Sequence, residues 1–314
     1  MPRPLPELNK SGLLDLDDGA QLYWEESGNP AGAPFVWLHG GPGSGLGAGG
    51  YRRAPDPEHW RIIGFDQRAS GRSRPLVGEE GFDVRTLTMD RMLADLEALR
   101  EHLGVERWLV AGGSWGSTYA LAYALAHPDR VTALALVAVT TTSRVEVDWS
   151  TDSVGRIFPR EWEEFAAASG RRPGQRVVDA YVERLTDPDP EVRSAAALAW
   201  CTWEDVHVSL APGFAPSERY LDPSFRELFA TQVSWFWSHS AFLGDRGILD
   251  RVGEIAHIPA VLIHGRLDVS GPLATPWELH RAWPRSRLVV VEDEGHGGGG
   301  MSQELERAYA SFER

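Results

Sequence analysis

Cysteine is almost missing from this sequence: Cys201 is the only one in 314 residues, so no intramolecular disulfide can form and a disulfide-held scaffold is excluded. Long apolar runs are absent too, none approaching the roughly 20 residues that a membrane-spanning helix needs. Basic charge is in deficit, with 31 Lys and Arg against 45 Asp and Glu, a formal net charge of -14. No dense basic run offsets this balance. Such a chain repels nucleic acid and anionic lipid, which leaves small molecules or peptides as the expected partners. The opening Met-Pro-Arg-Pro-Leu-Pro-Glu lacks the apolar core of a secretion signal, and with the lone cysteine it points to a reducing cytoplasm. Low-complexity sequence is confined to Gly297–Gly300, and no internal repeat is present.

What is there is an ordinary globular composition, 42% hydrophobic and 24% charged, with 13 tryptophans as its one oddity. Several of these cluster between residues 149 and 283, as core packing or as the lining of an apolar pocket. Short strands are predicted at 20–26, 35–38 and 60–65. A helix is predicted from 88 to 103, where Met89, Met92, Leu96, Leu99 and Leu103 recur at helical spacing before Gly104. An apolar strand then leads to Ser114, a helix covers 115–126 up to Pro128, and Val131 to Val139 is the next buried strand. This alternation predicts an α/β fold with a mostly parallel sheet flanked by helices. From 143 to 242 the pattern is helical (160–169, 175–186, 190–208 and 224–242), an inserted all-helical cap. Strands return at 260–264 and 287–291, and a helix closes the chain at 302–313. The expected domains are therefore a core of 1–142 plus 243–314 and a cap of 143–242.

Chemistry concentrates at the predicted strand ends. Gly112-Gly113-Ser114-Trp115-Gly116 is a Gly-x-Ser-x-Gly turn between strand and helix, which stands a serine oxygen clear of the backbone at a helix N-terminus. A serine hydroxyl becomes a nucleophile only when a base takes its proton and a third group orients that base. Asp268 and His296 each follow a predicted strand, and their order after Ser114 is that of α/β-hydrolases. His264 is a rival base, better read as a core histidine at the end of an apolar strand, and Asp293 is a rival acid only three residues from His296. The amide of Trp115 supplies one donor for a tetrahedral oxyanion. The loop His39-Gly40-Gly41-Pro42-Gly43 allows the close approach that a second donor, assigned to Gly41, requires.

Taken together, His39–Gly43, Asp66-Gln67-Arg68, Gly112–Ser117, Trp203-Glu204, Gly265–Asp268 and Gly295-His296 closely resemble the prolyl aminopeptidase (proline iminopeptidase) family of α/β-hydrolases. The resemblance implies a helical cap over the site, no cofactor and no metal, and release of an N-terminal residue, usually proline, from a peptide. It implies that Glu204 binds the substrate ammonium, a task for which a partly dry pocket needs a carboxylate. A second acidic residue of the family falls on Gln232, whose amide supplies no charge. Ala69, Leu267, Gly271 and Gly297–Gly300 are further departures. The substrate-binding pair is therefore expected to be Glu204 and Gln232. The alternative function is an amino-acid amidase, small esterase or lactonase using the same triad, and a non-catalytic binding protein on a hydrolase scaffold is the third reading.

Overall fold

The computed structural model describes residues 3–208, 210 and 214–313; the remaining positions of the expected core and cap ranges lie outside the described residues. Among the described residues, eight strands form one sheet. They are β1 (Leu8–Asp15), β2 (Gln21–Gly28), β3 (Ala33–Leu38), β4 (Trp60–Phe65), β5 (Trp108–Gly113), β6 (Val131–Val137), β7 (Ala260–Gly265) and β8 (Ser286–Val291). Their spatial order is β1-β2-β4-β3-β5-β6-β7-β8. β1, β2 and β4 pair antiparallel, and every pair from β4 through β3 to β8 is parallel. The mostly parallel α/β sheet read from the sequence is thus present.

Side chains alternate across a strand, so a sheet covered on both faces reads as a continuous apolar run. In β3, Val36 and Leu38 enter the cluster on one face while Phe35 and Trp37 pack into the other. β5 does the same with Trp108 and Val110 against Leu109 and Ala111. The first face is covered by α1 (Met89–His102) and α2 (Trp115–Ala126). Met92, Leu96 and Leu99 of α1 recur on one side of the helix and are buried there, each contributing about 1.5–3 kcal/mol. Thr88 caps α1 by accepting the Arg91 amide.

Between β6 and β7 lie α3 (Arg144–Thr151), α4 (Pro159–Ala168), α5 (Val177–Leu185), α6 (Pro190–His207), α7 (Pro223–Ser238) and the short α8 (Gly247–Arg251). α3 to α7 share an apolar cluster of their own that includes Phe165, Tyr181, Trp200, Trp203 and Phe229. α7 stops at Ser238, four residues before the expected end, because Ser240, Ala241 and Phe242 all take positive φ. That turn carries Ala241 into the sheet's cluster beside Phe236. α9 (Ala274–Ala282) covers the same face as α1 and α2, and α10 (Gly299–Ser311) covers the other through Met301, Leu305 and Tyr309. β1, α3, α8 and α9 were not read from the sequence. No helix among the described residues is long and apolar enough to cross a membrane.

Candidate active site

The carboxyl ends of β3, β5, β7 and β8 converge on one point. Ser114 sits between β5 and α2 with φ 54° and ψ -124°, a strained conformation for a residue with a Cβ. The turn needs its glycines for space: a Cβ on Gly112 would lie 2.3 Å from the Gly116 carbonyl, and one on Gly116 would lie 2.0 Å from the Leu38 carbonyl. Ser114 Oγ lies 2.9 Å from His296 Nε2, and His296 Nδ1 lies 2.8 Å from Asp268 Oδ2. In this arrangement Nδ1–H donates to the carboxylate and the Ser114 hydroxyl donates to Nε2.

The charges of the pair support each other. Burial works to raise the Asp268 carboxyl, but the charge and hydrogen bond of His296 outweigh it and hold the group below the usual range. Burial works to lower His296, yet the Asp268 charge and hydrogen bond, with a smaller contribution from Glu204, lift it above an ordinary imidazole. The Gly271 amide donates to Asp268 Oδ1 at 2.9 Å. His264, the rival base, is fully buried: it accepts the Val139 amide at Nδ1 and its Nε2 lies 2.6 Å from the Gly271 carbonyl. Burial lowers its pKa, and both nitrogens are engaged by backbone. Asp293, the rival acid, points to solvent.

Gly40, Gly41, Ser114 and Trp115 line a common cavity of about 550 Å³. The loop after β3 packs directly on the serine turn, since a Cβ on Gly40 would meet the Gly113 carbonyl at 3.2 Å. A clamp that sequence reasoning missed holds this loop. Gln67 donates its amide N–H to His39 Nε2 (3.0 Å), its side-chain Nε2 to the His39 carbonyl (2.8 Å), and accepts the Trp115 indole at Oε1 (2.9 Å). One glutamine therefore ties the start of the His39–Gly43 loop to the Trp115 side chain, and burial keeps His39 below the ordinary imidazole range. Arg68 anchors the same turn through paired contacts to Asp95 at 2.9 and 2.5 Å, and one to Asp18 at 2.7 Å.

Three carboxylates from the helices line the cavity: Glu146, Glu204 and Asp205. Glu146 is occupied as the capping-box residue of α3, accepting from Thr140, Thr141 and Ser143. Asp205 accepts the Ser217 amide at 3.0 Å, and burial raises its pKa. Glu204 has Oε1 on the Trp200 indole at 3.0 Å, while among the described residues Oε2 has as its charged neighbour His207 Nε2, at 3.3 Å and poorly aligned for a hydrogen bond. It is the carboxylate best able to accept a cation. His207, three residues on, reaches Ser270 Oγ through Nδ1 at 2.7 Å. Ser150 donates to the Ser270 carbonyl (2.8 Å) and Trp149 to the Val269 carbonyl (2.7 Å), so α3 and α6 hold the Asp268 loop. The spacing of Glu204 and His207 on one helix face was the only sequence signal for this link.

Gln232 sits elsewhere than expected. Its side chain is 2% exposed, its Nε2 donates to the Ala69 carbonyl at 2.6 Å, and it packs near Gly43. It does not line the cavity among the described residues. An amide can satisfy a buried carbonyl where a carboxylate cannot, and here it ties α7 to the Asp-Gln-Arg turn. Of the tryptophans, Trp115 and Trp237 line the cavity, whereas Trp200 and Trp203 are buried in the helical cluster. No group of three or more His, Cys, Asp or Glu with a metal-binding arrangement occurs among the described residues.

A family model described as the alpha/beta hydrolase fold matches residues 33–298. A probable proline iminopeptidase of Streptomyces coelicolor is 44% identical over 93% of this chain and 91% of its own. The proline iminopeptidase of Arabidopsis thaliana is 42% identical over 94% and 77%, and that of Neisseria gonorrhoeae 39% over 91% and 90%. Among solved structures, an esterase from Exiguobacterium antarcticum superposes with a TM-score of 0.65 at 21% identity, covering 97% of this chain and 99% of that one, a likeness of fold. With more than four residues in ten shared along nearly the whole length of a relative, the chain belongs to the proline iminopeptidase family of α/β-hydrolases.

Proposed function

We propose that this serine hydrolase releases N-terminal residues, proline foremost, from peptides. The observation that carries the reading is the hydrogen-bonded series Asp268, His296, Ser114 opening onto a cavity that holds an incompletely partnered carboxylate, Glu204. Ser114 Oγ attacks the first peptide carbonyl while His296 Nε2 takes its proton, and Asp268 stabilises the imidazolium. The amides of Gly41 and Trp115 receive the oxyanion. The C–N bond breaks as His296 returns the proton to the leaving nitrogen, and water then hydrolyses the ester by the same route. Glu204 binds the terminal ammonium, which restricts the enzyme to free N-termini. The helices over the site, residues 143–242, act as the cap that shapes this pocket.

A second reading, an amidase or esterase with relaxed amine recognition, is favoured by the other two cavity carboxylates, since Glu146 and Asp205 are engaged by donors of the chain itself and leave Glu204 alone to meet an ammonium. Cleavage of an N-acetylated proline arylamide as fast as the free one would select it. Burial pushes the Cys201 thiol well up and keeps it protonated and unreactive. Ser114→Ala is expected to abolish turnover of a proline arylamide and labelling by a fluorophosphonate while circular dichroism stays unchanged. Retained turnover would remove Ser114 from its role.

A further inference from the structure

A second cavity, of about 510 Å³, meets the first at Ser114, His296 and Gly297. It contains neither expected oxyanion donor and none of the cap carboxylates; it runs instead between β3, β6 and α10. Its walls are apolar: Trp37 stacked on Tyr51 (centroids 6.2 Å apart, planes 8° apart), with Met301, Leu305 and Tyr309 from α10. The Tyr51 hydroxyl is engaged by Glu25 at 3.1 Å. Arg53 and Glu306 border it with opposite formal charges that offset each other.

We propose that this cavity is the leaving-group subsite, and that it selects peptides with a large apolar residue in second position. The proposal rests on the aminopeptidase reading above. The tetrahedral carbon formed on Ser114 has three other substituents. Its oxygen faces Gly41 and Trp115, and its terminal residue faces Glu204, both in the first cavity. The departing nitrogen must face His296 Nε2, which delivers its proton, so the rest of the peptide leaves on the His296 side. The wall there is low because residue 297 is glycine: a Cβ on Gly297 would meet nothing within 4 Å. Gly298 has a separate cause, since a Cβ there would collide with the Glu294 carboxylate that accepts the Gly300 amide at 2.7 Å.

Three substrates with a common acyl part test this: prolinamide, Pro-Gly-amide and Pro-Phe-amide. The native chain is expected to favour Pro-Phe-amide over Pro-Gly-amide by about tenfold or more in kcat/KM, the scale set by burying one aromatic side chain. Ser302→Trp, on an exposed position of α10 bordering the cavity, fills it and brings the ratio to within about twofold, whereas Ser302→Ala keeps it. The ratio is internal to each variant, so a change in absolute rate does not mimic the effect. Prolinamide turnover with a native ratio near one, or a ratio unmoved by Ser302→Trp in a folded variant, overturns the subsite and leaves the aminopeptidase reading standing. Failure to turn over any of the three, prolinamide included, overturns that reading and the subsite with it.

Discussion

Glu204→Gln isolates the contribution of one negative charge at nearly constant shape. The side chain is 14% exposed and the Trp200 indole donates to Oε1 at 3.0 Å, a contact that the glutamine carbonyl can also accept. What is lost is the attraction between a carboxylate and the substrate ammonium. Two unit charges about 4 Å apart near a protein surface attract by about 4 kcal/mol, and partial exposure reduces this toward about 2. At 1.36 kcal/mol per decade, kcat/KM for a proline arylamide should fall roughly 30- to 1,000-fold. The control is the arylamide of cyclopentanecarboxylic acid, which keeps the ring and the scissile bond but lacks the amine. Its kcat/KM should be the same in both proteins to within about threefold. Initial rates by arylamine absorbance give both numbers, and equal losses on the two substrates would refute the assignment of Glu204 to the ammonium.

Two further predictions concern pH and stability. In the proposed mechanism His296 is a base only when neutral, and its raised pKa should set the acid limb of kcat/KM above the ordinary imidazole range, with activity lost as pH falls through it. The Glu204 charge helps raise that value, so Glu204→Gln should move the midpoint downward; fluorophosphonate inactivation rates against pH measure it, and an unmoved or rising midpoint counts against the coupling. Arg68→Met strips the counterion from Asp95, whose carboxyl burial already pushes up to about 6 despite the pairing. A folded-state pKa above the unfolded value gives stability that is lost as pH rises through it. The cost, about 3–5 kcal/mol for a broken buried pair, should therefore be larger at pH 8 than at pH 5, and urea midpoints equal at the two would contradict the account.

Much of this architecture was legible because burial on both faces of a parallel sheet leaves apolar runs that cannot be mistaken for surface. β5 and β6 show it, as does α2, whose bounds at 115 and 126 match the reading. β1 escaped because it is an edge strand with an exposed, polar sequence, Leu-Asn-Lys-Ser. α3 is eight residues long and follows a threonine-rich stretch, and α9 is nine with two basic residues in its last turn. Neither gives a sustained helical period. The converging Ser114, Asp268 and His296 were legible because each stands just past a strand, and parallel strands bring their carboxyl ends to one edge.

By itself, then, the sequence determined the fold through local pattern and chain order, the family through its shared motifs, and the strand-end positions of Ser114, Asp268 and His296. Tertiary structure alone decided how they are held and what else borders them. Gln232 faces the Ala69 carbonyl because helix packing orients it there, Gln67 reaches both His39 and Trp115 from a turn 28 and 48 residues away, and His207 meets Ser270 across 63 residues. The second cavity exists because α10 and β3, some 260 residues apart in the chain, close around His296. Local propensity carries no information about such contacts; they are set by the packing of whole elements.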